Sequence, residues 1–133
     1  MTVRLLVVDD EPDIETLFRQ QFRREVRQGL YTLDFAASGA AALEKLAGSV
    51  GEQLILVVSD MNMPGMSGLD LLPVAKAQRP DLAVFMISAY GDRNTEAAAL
   101  ARGASKFMTT PVDFSQLKQA ITAVIAEGST WPR

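Results

Sequence analysis

Three acidic side chains stand out in this sequence because each directly follows a short apolar run. Asp9 and Asp10 follow "VRLLVV", and Asp60 follows "LILVVS". Carboxylates can bind a hard cation such as Mg²⁺, and they can act as nucleophiles towards phosphorus. The sequence contains no cysteine and no histidine, which excludes thiol nucleophiles, zinc-thiolate sites and an imidazole base. Any chemistry must therefore use carboxylates, hydroxyls, amides, lysine or arginine.

The elements that must position these acids form a regular pattern. Short apolar runs alternate with longer helical patterns, which is typical of repeated βα units and a parallel sheet covered on both faces. The fold class predicted from this pattern is α/β. The five predicted strands span residues 3–8, 31–37, 54–59, 82–88 and 105–109.

Helical spacing and capping residues predict five helices between and after these strands. Pro12 suits the first turn of the first helix, and Ser38 can cap the second. Asp113, with Gln116 three residues later, forms a capping pair for the last helix. The apolar residues at helical spacing in the first helix are Ile14, Leu17, Phe18, Phe22 and Val26.

The three aspartates meet if the first and third strands are neighbours, as in the flavodoxin-like strand order 2-1-3-4-5. In an open parallel sheet, ligands bind beyond the carboxyl ends of the strands, beside the point where strand order reverses. Clustered carboxylates repel one another unless protons or a cation neutralise them, and Mg²⁺ suits such oxygen ligands. A single Asp-Asp pair is usually a solvated loop, but three acids placed directly after strands favour a site.

The sequence resembles the receiver domain of bacterial two-component response regulators from Val3 to about Ala126. The matching stretches are "LLVVDDEPDI", "VVSDMNMPGMSGLDLL", "VFMISAYGD" and "ARGASKFMTTPVDF". The resemblance implies a flavodoxin-like (βα)5 doubly wound parallel sheet with strand order 2-1-3-4-5 in a single domain. It also implies phosphorelay signal transduction rather than enzymatic turnover, Mg²⁺ or Mn²⁺ as cofactor, and a histidine kinase or phosphotransfer protein as partner.

The resemblance assigns roles to individual residues. Asp60 is the implied phosphoryl acceptor, Asp10 a direct Mg²⁺ ligand, and Asp9 a ligand mainly through water. The backbone carbonyl of Asn62 is a further implied metal ligand. The implied phosphoryl contact and switch aromatic are Ser88 and Tyr90. We assign no chemical role to the glycines of "PGMSG" at 64–68, which is predicted to be a turn.

Thr110 departs from the family pattern, which has a lysine at this position before the proline. Lys106 is a poor substitute, because four residues along a strand span about 13 Å. Arg93, in the loop after the fourth strand, is a possible surrogate. The resemblance also implies that the peptide between Thr110 and Pro111 is cis. Without the lysine, we expect phosphoryl acceptance to persist and its coupling to the switch to weaken.

Three other functions are compatible with the sequence. The main alternative is an atypical receiver that acts as a phosphorylation-independent interaction module, which Thr110 favours. A phosphatase with an aspartate nucleophile fits less well, because Asn62 stands where such enzymes place a second aspartate. A flavodoxin fits least, since an acidic loop after the first strand repels phosphate.

The net charge and the N-terminal segment restrict the expected location and partners of the protein. A net charge of −3 argues against nucleic acid or an anionic membrane as the main partner. The segment "MTVRLLVVDDEP" reaches acidic residues before a signal-peptide core could form, so we expect a cytoplasmic protein. We expect the receiver domain to occupy residues 1–127, with residues 128–133 as a tail or the start of a linker. The face formed by the fourth helix, fifth strand and fifth helix is the implied surface for a homodimer or an output domain.

Overall fold

The fold is a five-stranded parallel sheet with helices on both faces. The computed structural model describes residues 3–48, 54–63, 65–80, 82–89, 91 and 93–127. Its strand order is β2-β1-β3-β4-β5, and every neighbouring pair is parallel. The predicted fold class and strand order are therefore confirmed. The strands are β1 (Val3–Val8), β2 (Tyr31–Ala36), β3 (Leu54–Asp60), β4 (Ala83–Ser88) and β5 (Lys106–Thr109).

The second and the last of the predicted helices begin at their predicted caps, Ser38 and Asp113. The hydroxyl oxygen of Ser38 accepts a hydrogen bond from the backbone N–H of Ala41 at 3.1 Å. Asp113 accepts from the backbone N–H groups of Ser115 and Gln116 at 3.0 and 3.2 Å. Each cap satisfies donors that the first turn leaves unpaired. The helices are α1 (Pro12–Gln21), α2 (Arg23–Arg27), α3 (Gly39–Gly48), α4 (Gly68–Gln78), α5 (Arg93–Ala101) and α6 (Phe114–Glu127).

The predicted first helix is divided into α1 and α2 at Phe22. The Phe22 backbone has φ −105° and ψ 13°, outside the helical region, and its side chain is fully buried. Lys118 of α6 donates a hydrogen bond of 2.7 Å to the carbonyl of Gln21 and forms an ion pair with Glu25. We attribute the break to this lysine, because it binds a carbonyl that a continuous helix would use internally.

Two apolar cores lie on opposite faces of the sheet. One contains Leu6 and Val8 and packs against α3, α4 and α5; the other contains Leu5 and Val7 and packs against α1 and α6. This alternation follows from the two-residue period of a strand. Burial on both faces fixes the register of β1 and β3, and therefore the position of the loops that follow them. No helix in the described part of the chain is long and apolar enough to cross a bilayer.

Candidate functional site

The three aspartates lie together at the carboxyl edge of the sheet. Val8 of β1 is in register with Ser59 of β3, so the residues that follow both strands are neighbours. Asp9, Asp10 and Asp60 each offer a carboxylate oxygen, and these oxygens all lie within 4.8 Å of one another. Asp9 and Asp60 are half-buried and Asp10 is exposed. The predicted meeting of the three acids at the β1/β3 edge is observed.

Backbone hydrogen bonds hold two of these carboxylates in place. Asp9 accepts a hydrogen bond of 2.9 Å from the backbone N–H of Glu11, and Asp60 accepts one of 3.2 Å from the backbone N–H of Asn62. The loop backbone is also anchored to the sheet, since the N–H of Met61 donates to the carbonyl of Ile87 at 2.9 Å. The carboxylates are thus oriented before any ligand binds.

Burial and mutual repulsion oppose ionisation in this cluster. The pKa of Asp9 is raised to about 6, mainly by burial and also by the charges of Asp60 and Asp10, while the hydrogen bond from the Glu11 N–H opposes the rise. Burial also raises the pKa of Asp60, with the charge of Asp10 in the same direction. A cation bound between these groups would relieve both effects, because it favours the charged form. The donor set therefore fits a hard divalent cation.

Ser88 ends β4 at the same edge of the sheet. Its side chain is 1% exposed, and it lies in register with Thr109 of β5. The carbonyl of Ser88 accepts a hydrogen bond of 3.0 Å from the N–H of Thr110, which ties the end of β4 to the loop after β5. Ala89 follows and is exposed. Tyr90 lies outside the described residues, so its assignment as a switch aromatic remains a prediction.

Thr110 is exposed at this edge, and its peptide bond to Pro111 is cis, as the resemblance implies. Lys106 lies at the other end of β5, in register with Phe85, and does not reach the acids. Arg93 begins α5 and is exposed. It is not among the described residues that line the cavity beside Asp60, where a surrogate for the missing lysine would have to reach.

A cavity of about 540 Å³ lies beside Asp60, and we call it the Thr110 cavity. Asp60 and Thr110 both line it, together with Asp9, Glu11, Asn62 and Ala89. Apolar side chains of α1 and the sheet, with Val112 from the segment between β5 and α6, form the rest of the wall. The described residues that line it include no lysine or arginine. The concave space beside Asp60 and Thr110 therefore has acidic and apolar walls.

Gly68 has a positioning role that the sequence analysis missed. A β-carbon at this position would lie 2.4 Å from the backbone oxygen of Asp60 and 2.9 Å from the Cα of Met61. The Gly68 N–H also donates to the carbonyl of Met61 at 3.0 Å. The start of α4 thus packs directly on the backbone of the central acid. The capping box of Ser67 and Asp70, visible as "SGLD", could have placed the helix start here.

The sheet topology and the acidic cluster together define a class of protein. The domain is a doubly wound parallel α/β sheet with three clustered aspartates at its strand-order reversal, and Ser88 ends the next strand. The chain matches the family model of the response regulator receiver domain over residues 5–122, and it belongs to that family. It is a receiver domain of two-component signal transduction systems.

Two curated relatives are longer regulators. The chain is 37% identical over 124 residues to the response regulator protein PilR of Pseudomonas aeruginosa, covering 92% of this chain and 26% of that protein. It is 32% identical over 125 residues to the transcriptional regulatory protein GlrR of Escherichia coli, covering 94% and 27%. The chain therefore spans about a quarter of the length of these relatives.

Solved structures match over almost the whole chain. A response regulator receiver domain protein from Clostridium thermocellum has a TM-score of 0.85 at 26% identity, covering 96% of this chain and 98% of that one. The response regulator protein TrrA from Thermotoga maritima, in complex with Mg²⁺-BeF, has a TM-score of 0.76 at 28% identity, with 92% and 99% covered.

Proposed function

We propose that this receiver domain accepts a phosphoryl group on Asp60 with the help of Mg²⁺ and changes its surface as a signal. The observation that carries the proposal is the meeting of three carboxylate oxygens within 4.8 Å at the β1/β3 edge. Asp60 is the member of this cluster that ends the central strand, between β1 and β4. Its carboxylate lines the open Thr110 cavity, through which a donor can approach.

The proposed metal ligands are oxygen atoms of this cluster. Asp10 and Asp60 would bind Mg²⁺ directly, the carbonyl of Asn62 would add a ligand, and Asp9 would act mainly through water. The chemistry that a bound Mg²⁺ supplies is neutralisation of the carboxylates and of the incoming phosphoryl oxygens. The relative TrrA was solved with Mg²⁺-BeF, which supports this choice of ion.

The proposed transfer uses one residue as nucleophile. A carboxylate oxygen of Asp60 forms a bond to phosphorus, and the bond from phosphorus to the donor breaks, with its electron pair leaving on the donor. The product is an acyl phosphate. The hydroxyl of Ser88 would donate a hydrogen bond to a phosphoryl oxygen, and Tyr90 would report the change. Most of the catalysis is positioning and charge neutralisation.

Intact mass spectrometry tests this function. After incubation with a small phosphodonor and Mg²⁺, we expect a mass increase of about 80 Da, the addition of one phosphoryl group. The same incubation with a chelator in place of Mg²⁺ should give little or no increase. An unchanged mass under both conditions would favour the phosphorylation-independent interaction module instead.

Mg²⁺ affinity should depend on pH through Asp9. Because the pKa of Asp9 in the metal-free domain is raised to about 6, a proton competes with the metal below that pH and not above it. We expect calorimetry to show binding about tenfold weaker at pH 5 than at pH 7. Asp9→Asn should reduce this dependence and leave the part that Asp60 contributes, because the pKa of Asp60 is also raised, and Asp10→Ala should weaken binding at both pH values. Equal affinity at pH 5 and pH 7 in the wild type would refute the role of Asp9.

Thr110→Lys should strengthen the response to phosphorylation. The new ammonium would lie in a cavity that contains Asp60, and a charge-assisted hydrogen bond contributes about 1.5–3 kcal/mol, or roughly ten- to a hundredfold in coupling. We expect larger beryllofluoride-induced NMR shifts at Tyr90 and Ser88 than in the wild type. Thr16→Lys, at an exposed position on α1, is the matched control. Equal and full beryllofluoride-induced shifts in the wild type, Thr110→Lys and Thr16→Lys would mean that another group compensates for the missing lysine.

We further propose the partners and location that follow from this role. A histidine kinase or phosphotransfer protein would donate the phosphoryl group, and the face formed by α5, β5 and α6 would contact a second copy or an output domain. Residues 1–127 would form the receiver domain and 128–133 a tail or linker. The protein would act in the cytoplasm, and its net charge of −3 argues against direct binding to nucleic acid.

A further inference from the structure

We propose that Ser59 is a positioning residue for phosphoryl acceptance, because its buried hydroxyl fixes the backbone of the acceptor Asp60. This role rests on the proposed function and adds to it a residue outside the proposed metal ligands. Three observations carry it: the burial of Ser59, its hydrogen bond to Asp60, and the anchoring of the peptide group that follows Asp60.

Ser59 places a hydroxyl inside an apolar core. It is 0% exposed, and the residues in register with it on β1 and β4, Val8 and Met86, are also 0% exposed. Val57, two residues earlier on the same face of β3, belongs to the same core as Val8 and Met86. A buried hydroxyl costs free energy unless it forms a hydrogen bond, whereas an apolar side chain carries no such cost. Packing alone therefore does not call for a serine at this position.

The hydroxyl of Ser59 donates a hydrogen bond of 3.0 Å to the carbonyl oxygen of Asp60. This carbonyl lies at the end of β3, where β1 has already ended at Val8, opposite Ser59. The regular ladder between β1 and β3 therefore stops one residue before Asp60. The hydroxyl supplies a donor to a carbonyl that lies beyond the end of this ladder.

The peptide group between Asp60 and Met61 is held at both of its polar ends. Its oxygen accepts from Ser59, and its N–H donates to the carbonyl of Ile87 at 2.9 Å. The next N–H along the chain, that of Asn62, donates to the carboxylate of Asp60 at 3.2 Å. Because a peptide group is planar, fixing both ends of the first one fixes the direction in which the chain leaves β3 towards Asn62. Ser59 thus orients the acceptor carboxylate through the backbone.

Loss of the hydroxyl should loosen the acceptor and leave the fold intact. In Ser59→Ala the carbonyl of Asp60 loses this donor, while the hydrogen bond from Met61 to Ile87 remains. Removing a group that supports a metal-binding carboxylate typically lowers metal affinity or activity by about ten- to a hundredfold. We expect Mg²⁺ binding about tenfold weaker, and the maximal rate of phosphoryl acceptance about tenfold lower, than in the wild type. The donor concentration that gives half the maximal rate should not change, because the buried side chain of Ser59 cannot contact the donor.

Two further variants and a control separate positioning from stability. Ser59→Thr keeps the hydroxyl and should restore wild-type Mg²⁺ affinity and rate, whereas Ser59→Cys has only a weakly donating S–H group and should resemble Ser59→Ala. Val57→Ala trims the same core and should lower the denaturation midpoint more than Ser59→Ala does, with unchanged Mg²⁺ affinity. Wild-type affinity and rate in Ser59→Ala, or equal losses of affinity in Ser59→Ala and Val57→Ala, would overturn the proposal.

Amide hydrogen exchange tests the positioning without metal or donor. The N–H of Asn62 bonds to the carboxylate of Asp60, and Asn62 is exposed, so this N–H exchanges through local opening. We expect it to exchange about tenfold faster in Ser59→Ala than in the wild type, and at the wild-type rate in Ser59→Thr. The measurement involves no phosphoryl transfer, so a failure of the proposed function leaves its result intact. Unchanged exchange at Asn62 in Ser59→Ala would overturn the role of Ser59 in orienting the acceptor.

Discussion

Asp60→Asn is expected to abolish phosphoryl acceptance. The amide keeps the shape of the carboxylate and removes its nucleophilic oxygen, so the mass increase of about 80 Da should disappear after incubation with donor and Mg²⁺. Asp13→Asn, an exposed position in the first turn of α1, is the matched control and should retain the increase. A full mass increase in Asp60→Asn would move the acceptor to another residue.

The same variant should fold at least as stably as the wild type without metal. The pKa of Asp60 is raised in the folded domain, so its charge favours unfolding at pH values above that raised pKa. Neutral asparagine removes this cost. At pH 7 the melting temperature of Asp60→Asn should therefore equal or exceed that of the wild type, while the two should converge at pH 3. A clear loss of stability at pH 7 would show that lost activity reflects misfolding.

Gly68→Ala should destabilise the domain and impair the site. A β-carbon 2.4 Å from the backbone oxygen of Asp60 cannot be relieved by a side-chain rotation, since the atom that it meets belongs to the backbone. Either α4 or the Asp60 loop must move. Overpacking of this kind costs about 1–3 kcal/mol and occasionally more. We expect a lower denaturation midpoint together with weaker Mg²⁺ binding and slower phosphoryl acceptance.

Gly48→Ala is the matched control for this prediction. Gly48 is the last residue of α3, and a β-carbon there would have no neighbour within 4 Å. The free energy of unfolding of Gly48→Ala should stay within about 0.5 kcal/mol of the wild-type value, and the Mg²⁺ affinity of this variant should not change. If Gly68→Ala behaved like Gly48→Ala in both measurements, the packing of α4 on Asp60 would have no functional importance.

The sheet and the acidic cluster were predictable because they follow from local patterns. Apolar runs of strand length gave β1 to β5 within one or two residues, and the position of Asp60 directly after such a run placed it at the sheet edge. Capping by Ser38 and Asp113 was predictable for the same reason, since a cap involves residues two or three positions apart.

Features that depend on distant residues were not predictable. The break at Phe22 involves Lys118, which is 97 residues from the carbonyl of Gln21 that it binds. Helical periodicity continues through Phe22, so the pattern alone predicts one helix. The close approach of Gly68 to Asp60 likewise depends on how α4 meets the sheet. The sequence alone does not reveal which atoms a β-carbon added to a glycine in a turn-forming stretch would contact.

The surroundings of Thr110 were also not predictable from the sequence alone. The sequence shows that a lysine is absent, and strand geometry excludes Lys106 as its replacement. The cavity that Thr110 lines could be described only once the walls contributed by α1, β3 and β4 were in place. The elevated pKa of Asp9 also requires the folded environment, because its largest cause is burial.

The most direct measurement of the central claim is chemical mapping of the phosphorylated residue. An aspartyl phosphate is an acyl phosphate, so borohydride reduces it to homoserine, and peptide mass spectrometry can then locate the converted residue. The wild-type domain should be incubated with donor and Mg²⁺, reduced and digested, with a chelator-treated sample as reference. We predict homoserine at position 60 in the Mg²⁺ sample and none in the reference. Homoserine at position 9 or 10, or at no position despite a mass gain, would contradict Asp60 as the acceptor.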